Sequence, residues 1–306
     1  MKVIENRVIR SDSLRESIKE TGYAIAGNIG SHTVQSIRLL YDSLHQFTNK
    51  DGGMFYSLYS DDIEYRKGVH SGIFDILKPV YDSYFNNYKT VINSFIVKTP
   101  GKGSDFSLHQ DSTGLDESMW SPLSVWIPLQ DTELTNGTLC VVPKSHKFFH
   151  PYRGISFASP FANYENLVRR YLLPINLNAG DILLFDNRLV HYSHLNLSHS
   201  PRVVVMSGIF PSEAKILSVY KDESVPNSPI EIYLQDDDFL ITNKAFYKDC
   251  TARPYRGEVV RKIYDPLPDI SMYDFMSIAA NHDVLQTNIP ELMNPLHQMQ
   301  IISEPV

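Results

Sequence analysis

Between about residues 90 and 212 the chain strings together five short segments: "VINSFIVKT", "LSVWIPLQ", "TLCVVP", "DILLFD" and "RVVVMSGIF". All are rich in β-branched and aromatic residues, which suit the pleated, packed surface of a strand. Each is bounded by Gly, Pro, Asn or Asp, and turn signals such as Asn136-Gly137 and Ala179-Gly180-Asp181 stand between them. One helical insert, at about 163–172, interrupts the series. Parallel strands need a long crossover after every strand, whereas antiparallel strands follow one another through short turns. The segments therefore predict a mainly β fold with flanking helices, built as an antiparallel sandwich or jelly roll.

The flanks carry other signals. Ser13-Leu-Arg-Glu16 reads as a capping box and Gly22 as the stop of a first helix, with "YAIAG" as a short strand after it. Apolar residues in "VQSIRLLYDSLHQF" recur at helical spacing, which predicts a second helix beginning after Ser31. Beyond Pro211, "EIYLQ" predicts a strand and "SMYDFMSIAAN" a helix. Asp236-Asp237-Asp238 reads as a solvated acidic turn, and Arg253, Arg256, Arg261 and Lys262 as a wet basic face. No repeat or Pro/Gly/Ser-rich linker divides the chain. The expectation is one domain over residues 1–306: N-terminal helices and strands (1–90), a core (91–212), and a C-terminal extension packing on it (213–306).

Composition narrows the partners. A formal net charge of −7 without a long basic block argues against nucleic acid or an anionic membrane, both of which need clustered Lys and Arg. Two cysteines, Cys140 and Cys250, make neither a disulfide framework nor a zinc set, and read as unpaired thiols. "MKVIENRVIRSDSLRE" has no signal-peptide apolar run and no stretch approaches a membrane span, so a soluble cytoplasmic protein is expected.

The chemistry centres on "FSLHQDSTG". Residues two apart in an extended segment share a face, so His109 and Asp111 can reach one metal ion. Taken alone, the spacing is weak evidence, and an ordinary polar strand end is the commoner reading. A third donor is available in His191, which follows the apolar segment "DILLF" and a short turn. Two histidines and one carboxylate on one face leave open positions, as in non-haem Fe(II) oxygenases, whereas zinc would be four-coordinate with one water. Arg202 opens the strand "RVVVMSGIF", and its guanidinium could hold a carboxylate through two parallel hydrogen bonds. Ser193, two residues after His191, could add a hydroxyl donor.

His109-Gln-Asp111, His191-Tyr-Ser193 and Arg202, in that order, resemble the phytanoyl-CoA dioxygenase family of Fe(II)/2-oxoglutarate oxygenases. "LSVWIPLQDTELTNGTLCVVPKSHK" resembles the family's strand, turn, strand and Pro-x-Ser-His segment, and "AGDILLFDNRLVHYSHLN" its Gly-Asp strand running into the distal histidine. The resemblance covers about residues 90–212, extends loosely to the N-terminal helix and "TGYAIAG", and hardly touches the tail. It implies a double-stranded β-helix (jelly-roll, cupin-like) core, Fe(II) bound by His109, Asp111 and His191, and 2-oxoglutarate held by Arg202 with Ser193. Trp126 matches a position lining the cosubstrate pocket, though a core aromatic would look the same. His146 in "PKSHK" matches a family position that shapes a turn.

Lys144 stands where the family has Gly, so a slightly different backbone is expected there. Asp111 stands where halogenating members carry a small residue, which favours oxygen transfer. The implied reaction consumes O2 and 2-oxoglutarate, hydroxylates an unactivated C–H bond of a small metabolite, and releases succinate and CO2. The same site could instead desaturate, cyclise or epimerise, and a cupin-like binding protein without turnover is the rival from another class. "PGKGSDF" has one Lys and two Gly and reads as a plain loop, not a phosphate cradle.

Overall fold

A computed structural model describes residues 6–44, 53–149, 152–156, 158–243, 253–254, 256–264 and 270–293. Cys250 lies outside them; Cys140 is buried and unpaired. The chain opens with helix α1 (Asp12–Thr21), strand β1 (Tyr23–Asn28) and helix α2 (Ser31–Leu44). Strand β2 (Met54–Tyr56) and helix α3 (Ile63–Tyr84) follow. Then come β3 (Tyr88–Lys98), β4 (Phe106–His109), β5 (Leu123–Pro128), β6 (Leu139–Val141) and β7 (Leu173–Pro174). The remaining core strands are β8 (Asp181–Asp186), β9 (His191–Ser193) and β10 (Arg202–Pro211). The C-terminal part adds β11 (Ile216–Tyr220), β12 (Ile230–Gln235), β13 (Glu258–Ile263) and a helix at Met272–Asn281.

A six-stranded sheet in the order β1-β8-β5-β10-β3-β2 lies opposite a four-stranded sheet, β4-β9-β6-β7, and the pairings in both are antiparallel. The two sheets share a core in which Trp126, Leu183 and Val204 of the larger meet Leu139 and Val141 of the smaller. This is the double-stranded β-helix. The larger sheet is apolar on both faces, because alternate residues of each strand turn to opposite sides. Val125, Ile127, Leu184 and Val205 pack on the other side against Val34 and Ile37 of α2 and Val69, Ile73 and Leu77 of α3. Two-sided burial explains why these strands read as unbroken hydrophobic runs.

Three details depart from the sequence expectation. The first helix is capped by Ser11, whose Oγ accepts from Leu14 N at 3.4 Å, so Ser13 and Glu16 lie inside it. Helix α3 was not foreseen; Gly68, Gly72 and Pro79 punctuate its 22 residues. Gly72 is where Leu40 of α2 comes closest, and an added Cβ there would sit 2.8 Å from Leu40 Cδ1. Strand β13 was also not foreseen, and it carries two members of the basic stretch. Those cations are ion-paired: Lys262 reaches Glu231 at 2.9 Å, Arg261 reaches Asp116 at 3.3 Å, Arg256 reaches Asp238 at 3.1 Å, and Arg253 also pairs with Glu231. Asp237 of the acidic turn meets Lys89 at 2.6 Å.

Lys144 has φ 67°, the left-handed conformation that glycine takes most easily, so the lysine bears the strain there. Its N–H donates to Thr21 O at 2.7 Å and its Nζ to His282 O at 2.7 Å, which tie the turn at both ends. No helix among the described residues is long and apolar enough to cross a membrane.

Candidate functional site

His109 ends β4 and His191 begins β9, and the two are register partners across that antiparallel pair. Their ring centroids lie 4.1 Å apart. Asp111 follows two residues after His109, in the loop leaving the strand, and its Oδ1 sits 3.7 Å from Nε2 of each histidine. One donor atom from each of the three lies within 4.8 Å of the others. The structure thus brings together residues 80 positions apart in the chain.

The tautomers follow from the neighbours. His109 Nδ1 lies 2.7 Å from Ser107 O, and His191 Nδ1 lies 2.9 Å from Leu189 O. A carbonyl oxygen only accepts, so each Nδ1 carries a proton and Nε2 is the ring nitrogen turned toward Asp111. Burial, reinforced by nearby His109, pushes His191 down to about 4, which keeps its imidazole neutral. Burial would raise the Asp111 carboxyl, but His191 and His109, with Arg153 behind them, hold it below the ordinary carboxylate value. A neutral His191 imidazole and an ionised Asp111 carboxylate are protonation states that metal ligation requires.

Local structure fixes these side chains. Asp186 and Arg188 form a buried ion pair at 2.5 Å inside the turn between β8 and β9. That turn offers Asn187 O to Asp111 N at 3.0 Å, as well as the Leu189 carbonyl that orients His191. Ser124 Oγ, on the inner face of β5, lies 3.3 Å from Asp111 Oδ2. On the other side, Arg153 Nε donates to Asp111 O at 2.8 Å. The Arg153 guanidinium is itself clamped by Glu117, at 2.9 and 2.5 Å, and both side chains are almost wholly excluded from solvent.

The triad opens into a cavity of about 530 Å³ between the two sheets. Arg202, Ser193 and Trp126 line the same cavity. Arg202 is 2% exposed, its guanidinium lies 5.4 Å from the centroid of the Trp126 ring, and its Nε has no hydrogen-bond partner among the described residues. Burial without an acidic partner pushes it down to about 9. A buried, uncompensated guanidinium facing a cavity is a site prepared for an anion. His146 is elsewhere: it is buried beneath Gly22, with its Nε2 3.1 Å from Lys19 O, and it does not line the cavity.

Sequence reasoning missed Glu117, Arg153, Lys98 and the Asp186–Arg188 pair. Lys98 is fully buried and donates to Ser193 O at 2.9 Å and His194 O at 2.6 Å, which anchors the strand carrying His191. Only the short Asp-x-Arg spacing of 186 and 188 left a trace in the sequence; the other contacts exist only once the chain is folded.

A jelly roll with a His-x-Asp pair facing a distal histidine defines a member of the double-stranded β-helix class with a donor set that could hold a metal ion. The sequence model of the phytanoyl-CoA dioxygenase (PhyH) family matches residues 46–204, half of the chain, and the protein belongs to that family. A phytanoyl-CoA dioxygenase of Arabidopsis thaliana is 33% identical over 114 residues, which are 35% of this chain and 39% of that protein. Phytanoyl-CoA dioxygenase domain-containing protein 1 of Rattus norvegicus is 31% identical over 123 residues, 37% of this chain and 41% of that one. The chain thus spans about two fifths of the length of these curated relatives. Among solved structures, the non-heme alpha ketoglutarate dependent carbocyclase SnoK is 20% identical with a TM-score of 0.49, covering 67% of this chain and 86% of that one.

Proposed function

We propose that the protein is an Fe(II)- and 2-oxoglutarate-dependent oxygenase that hydroxylates an unactivated C–H bond of a small molecule. The observation carrying this reading is that one cavity contains both the His109–Asp111–His191 triad and the uncompensated cation Arg202. The donor set fits the metal: two imidazole nitrogens and one carboxylate suit Fe(II) and leave three positions for a bidentate cosubstrate and O2. When bound, iron with 2-oxoglutarate supplies the oxidising power, and the balance is 2-oxoglutarate + O2 + R–H giving succinate + CO2 + R–OH.

The chain's own residues do the positioning. His109, Asp111 and His191 would hold the metal, their orientation set by the Ser107 and Leu189 carbonyls and by Arg153. Arg202 would receive the distal carboxylate of 2-oxoglutarate as two parallel hydrogen bonds, with the Ser193 hydroxyl as a further donor and the Trp126 ring as a wall. The apolar walls of the cavity keep water from the reacting centre and fix which C–H bond faces it.

The test begins without oxygen. Protein mixed anaerobically with Fe(II) and 2-oxoglutarate should develop a weak visible charge-transfer band, which Asp111→Ala should lose. In air, a substrate should couple succinate release to a product heavier by one oxygen atom. A wild-type protein that binds neither Fe(II) nor 2-oxoglutarate would sink the reading. A product lighter by two hydrogens would replace hydroxylation with desaturation at the same site.

A further inference from the structure

The cavity has a simple charge inventory. Among the described residues lining it, Asp111, Arg153 and Arg202 are the only Asp, Glu, Lys or Arg side chains. Each is already matched. Asp111 faces both imidazoles, where the metal would sit. Arg153 is neutralised by two contacts to Glu117, whose side chain is completely excluded from solvent. Arg202 is the cation left for the cosubstrate carboxylate. The other described residues of the lining are neutral: an apolar floor including Leu58, Val91, Ile92, Met206, Phe210 and Leu240, and a few polar groups such as Ser112, Asn187 and Tyr152.

We infer that the portion of the substrate enclosed by this cavity is uncharged and largely apolar, held by burial of hydrocarbon and by neutral hydrogen bonds. The inference rests on the oxygenase reading, since that reading assigns Arg202 to 2-oxoglutarate. The physics is the cost of an unpaired charge: an ionised group moved from water into an enclosed apolar site without a counter-ion loses far more than contacts return. Among the described residues, a substrate carboxylate, phosphate or ammonium inside the cavity would meet no free opposite charge once the cosubstrate is in place. A volume of about 530 Å³ falls in the range of pockets that enclose a small organic molecule, where apolar walls supply affinity and a few polar atoms set orientation. Free amino acids should therefore be poor substrates, and the phosphate-bearing part of a coenzyme A thioester finds no free cation among the described residues of these walls.

Calorimetry on the full chain loaded with Ni(II) tests this with one aromatic scaffold in three charge states: 2-naphthylmethanol, 2-naphthoate and 2-naphthylmethylammonium. With 2-oxoglutarate bound, the alcohol should bind at least about tenfold tighter than either ion. Equal or tighter binding of an ion, or no binding of the alcohol, overturns the inference. Glu117→Gln gives a second reading, because it leaves Arg153 uncompensated. The affinity of naphthoate relative to the alcohol should then rise by at least about tenfold; an unchanged ratio counts against the charge inventory. If that variant does not fold, the wild-type series decides. The oxygenase reading is scored separately, by whether 2-oxoglutarate binds the Ni(II) protein at all. If it does not bind, that reading fails; if it binds and an ion is still preferred, only the substrate inference fails.

Discussion

Lys98 and Arg202 are register partners across β3 and β10, both buried, and among the described residues neither is ion-paired. Lys98 spends its ammonium on the carbonyls of Ser193 and His194, and burial together with Arg202 pushes it well below its ordinary value. Arg202 is left with no acid of its own. A guanidinium without a counter-ion in a low-dielectric wall makes a strong local demand for an anion. Arg202→Ala should therefore weaken 2-oxoglutarate binding by about 2–4 kcal/mol, or ~30- to 1000-fold. Metal affinity should stay within about threefold of wild type, because Arg202 supplies no donor to the triad. Parallel titrations of Ni(II) and 2-oxoglutarate check both halves; equal loss of the two would show that Arg202 supports the triad instead.

The Glu117–Arg153 pair connects the Asp111 backbone to the segment at 152–156. Removing one member of a buried ion pair strands the other, at a cost of about 3–5 kcal/mol. Glu117→Gln and Arg153→Met should each lower stability on this scale in urea unfolding, and the double variant should recover part of the loss. Arg153→Met should also weaken metal binding about 10- to 100-fold, since it removes the support behind a ligand. Single variants costing under about 1 kcal/mol would place the pair in effect at the surface.

The strands were legible because the larger sheet is buried on both faces, so Val125, Ile127, Val204 and Val205 form runs that little else produces. Helix α3 was not, because Gly72 and Pro79 resemble breakers. Gly72 instead gives Leu40 room to approach, and the helix continues through Pro79. His109, Asp111 and His191 stood out through residue type and spacing. Arg153 and Glu117, 36 residues apart, look like surface charges in the sequence, and only the fold buries them against each other. Lys98 likewise ends an apolar run as a solvent-facing residue would, yet it is turned inward to the carbonyls of β9 and its following residue.

His146 supplies a pH dependence independent of the metal. Its Nε2–H donates to Lys19 O, while its Nδ1 is buried with no partner, so adding a proton there would bury an unmatched charge. Burial accordingly pushes it from 6.5 to about 4. Between those values the unfolded chain takes up a proton that the folded chain refuses. Stability from this group is therefore complete above pH 6.5, falls as the pH drops, and levels off below about 4. The total is about 3 kcal/mol. Chemical denaturation of wild type and His146→Gln from pH 7.5 to 4.5 should show a shallower decline in the variant; parallel curves would remove His146 as the cause.

Gly114, three residues beyond Asp111, lies so close to Phe210 that an added Cβ would sit 2.7 Å from its ring Cζ and 3.1 Å from Cε2. Both residues line the cavity, and the Gly114 carbonyl also accepts from Leu217 N at 2.9 Å, so the loop cannot easily retreat. Gly114→Ala must then move the ring, at a cost of about 1–3 kcal/mol for overpacking. The displaced ring narrows the space for substrate without touching Arg202 or the triad. The expected result is loss of about tenfold in 2-naphthylmethanol affinity with 2-oxoglutarate binding unchanged. Phe210→Leu in the same chain should relieve the clash and return most of the stability. If 2-oxoglutarate binding falls in step with the alcohol, Gly114 borders the cosubstrate and the two ends of the cavity are not separate.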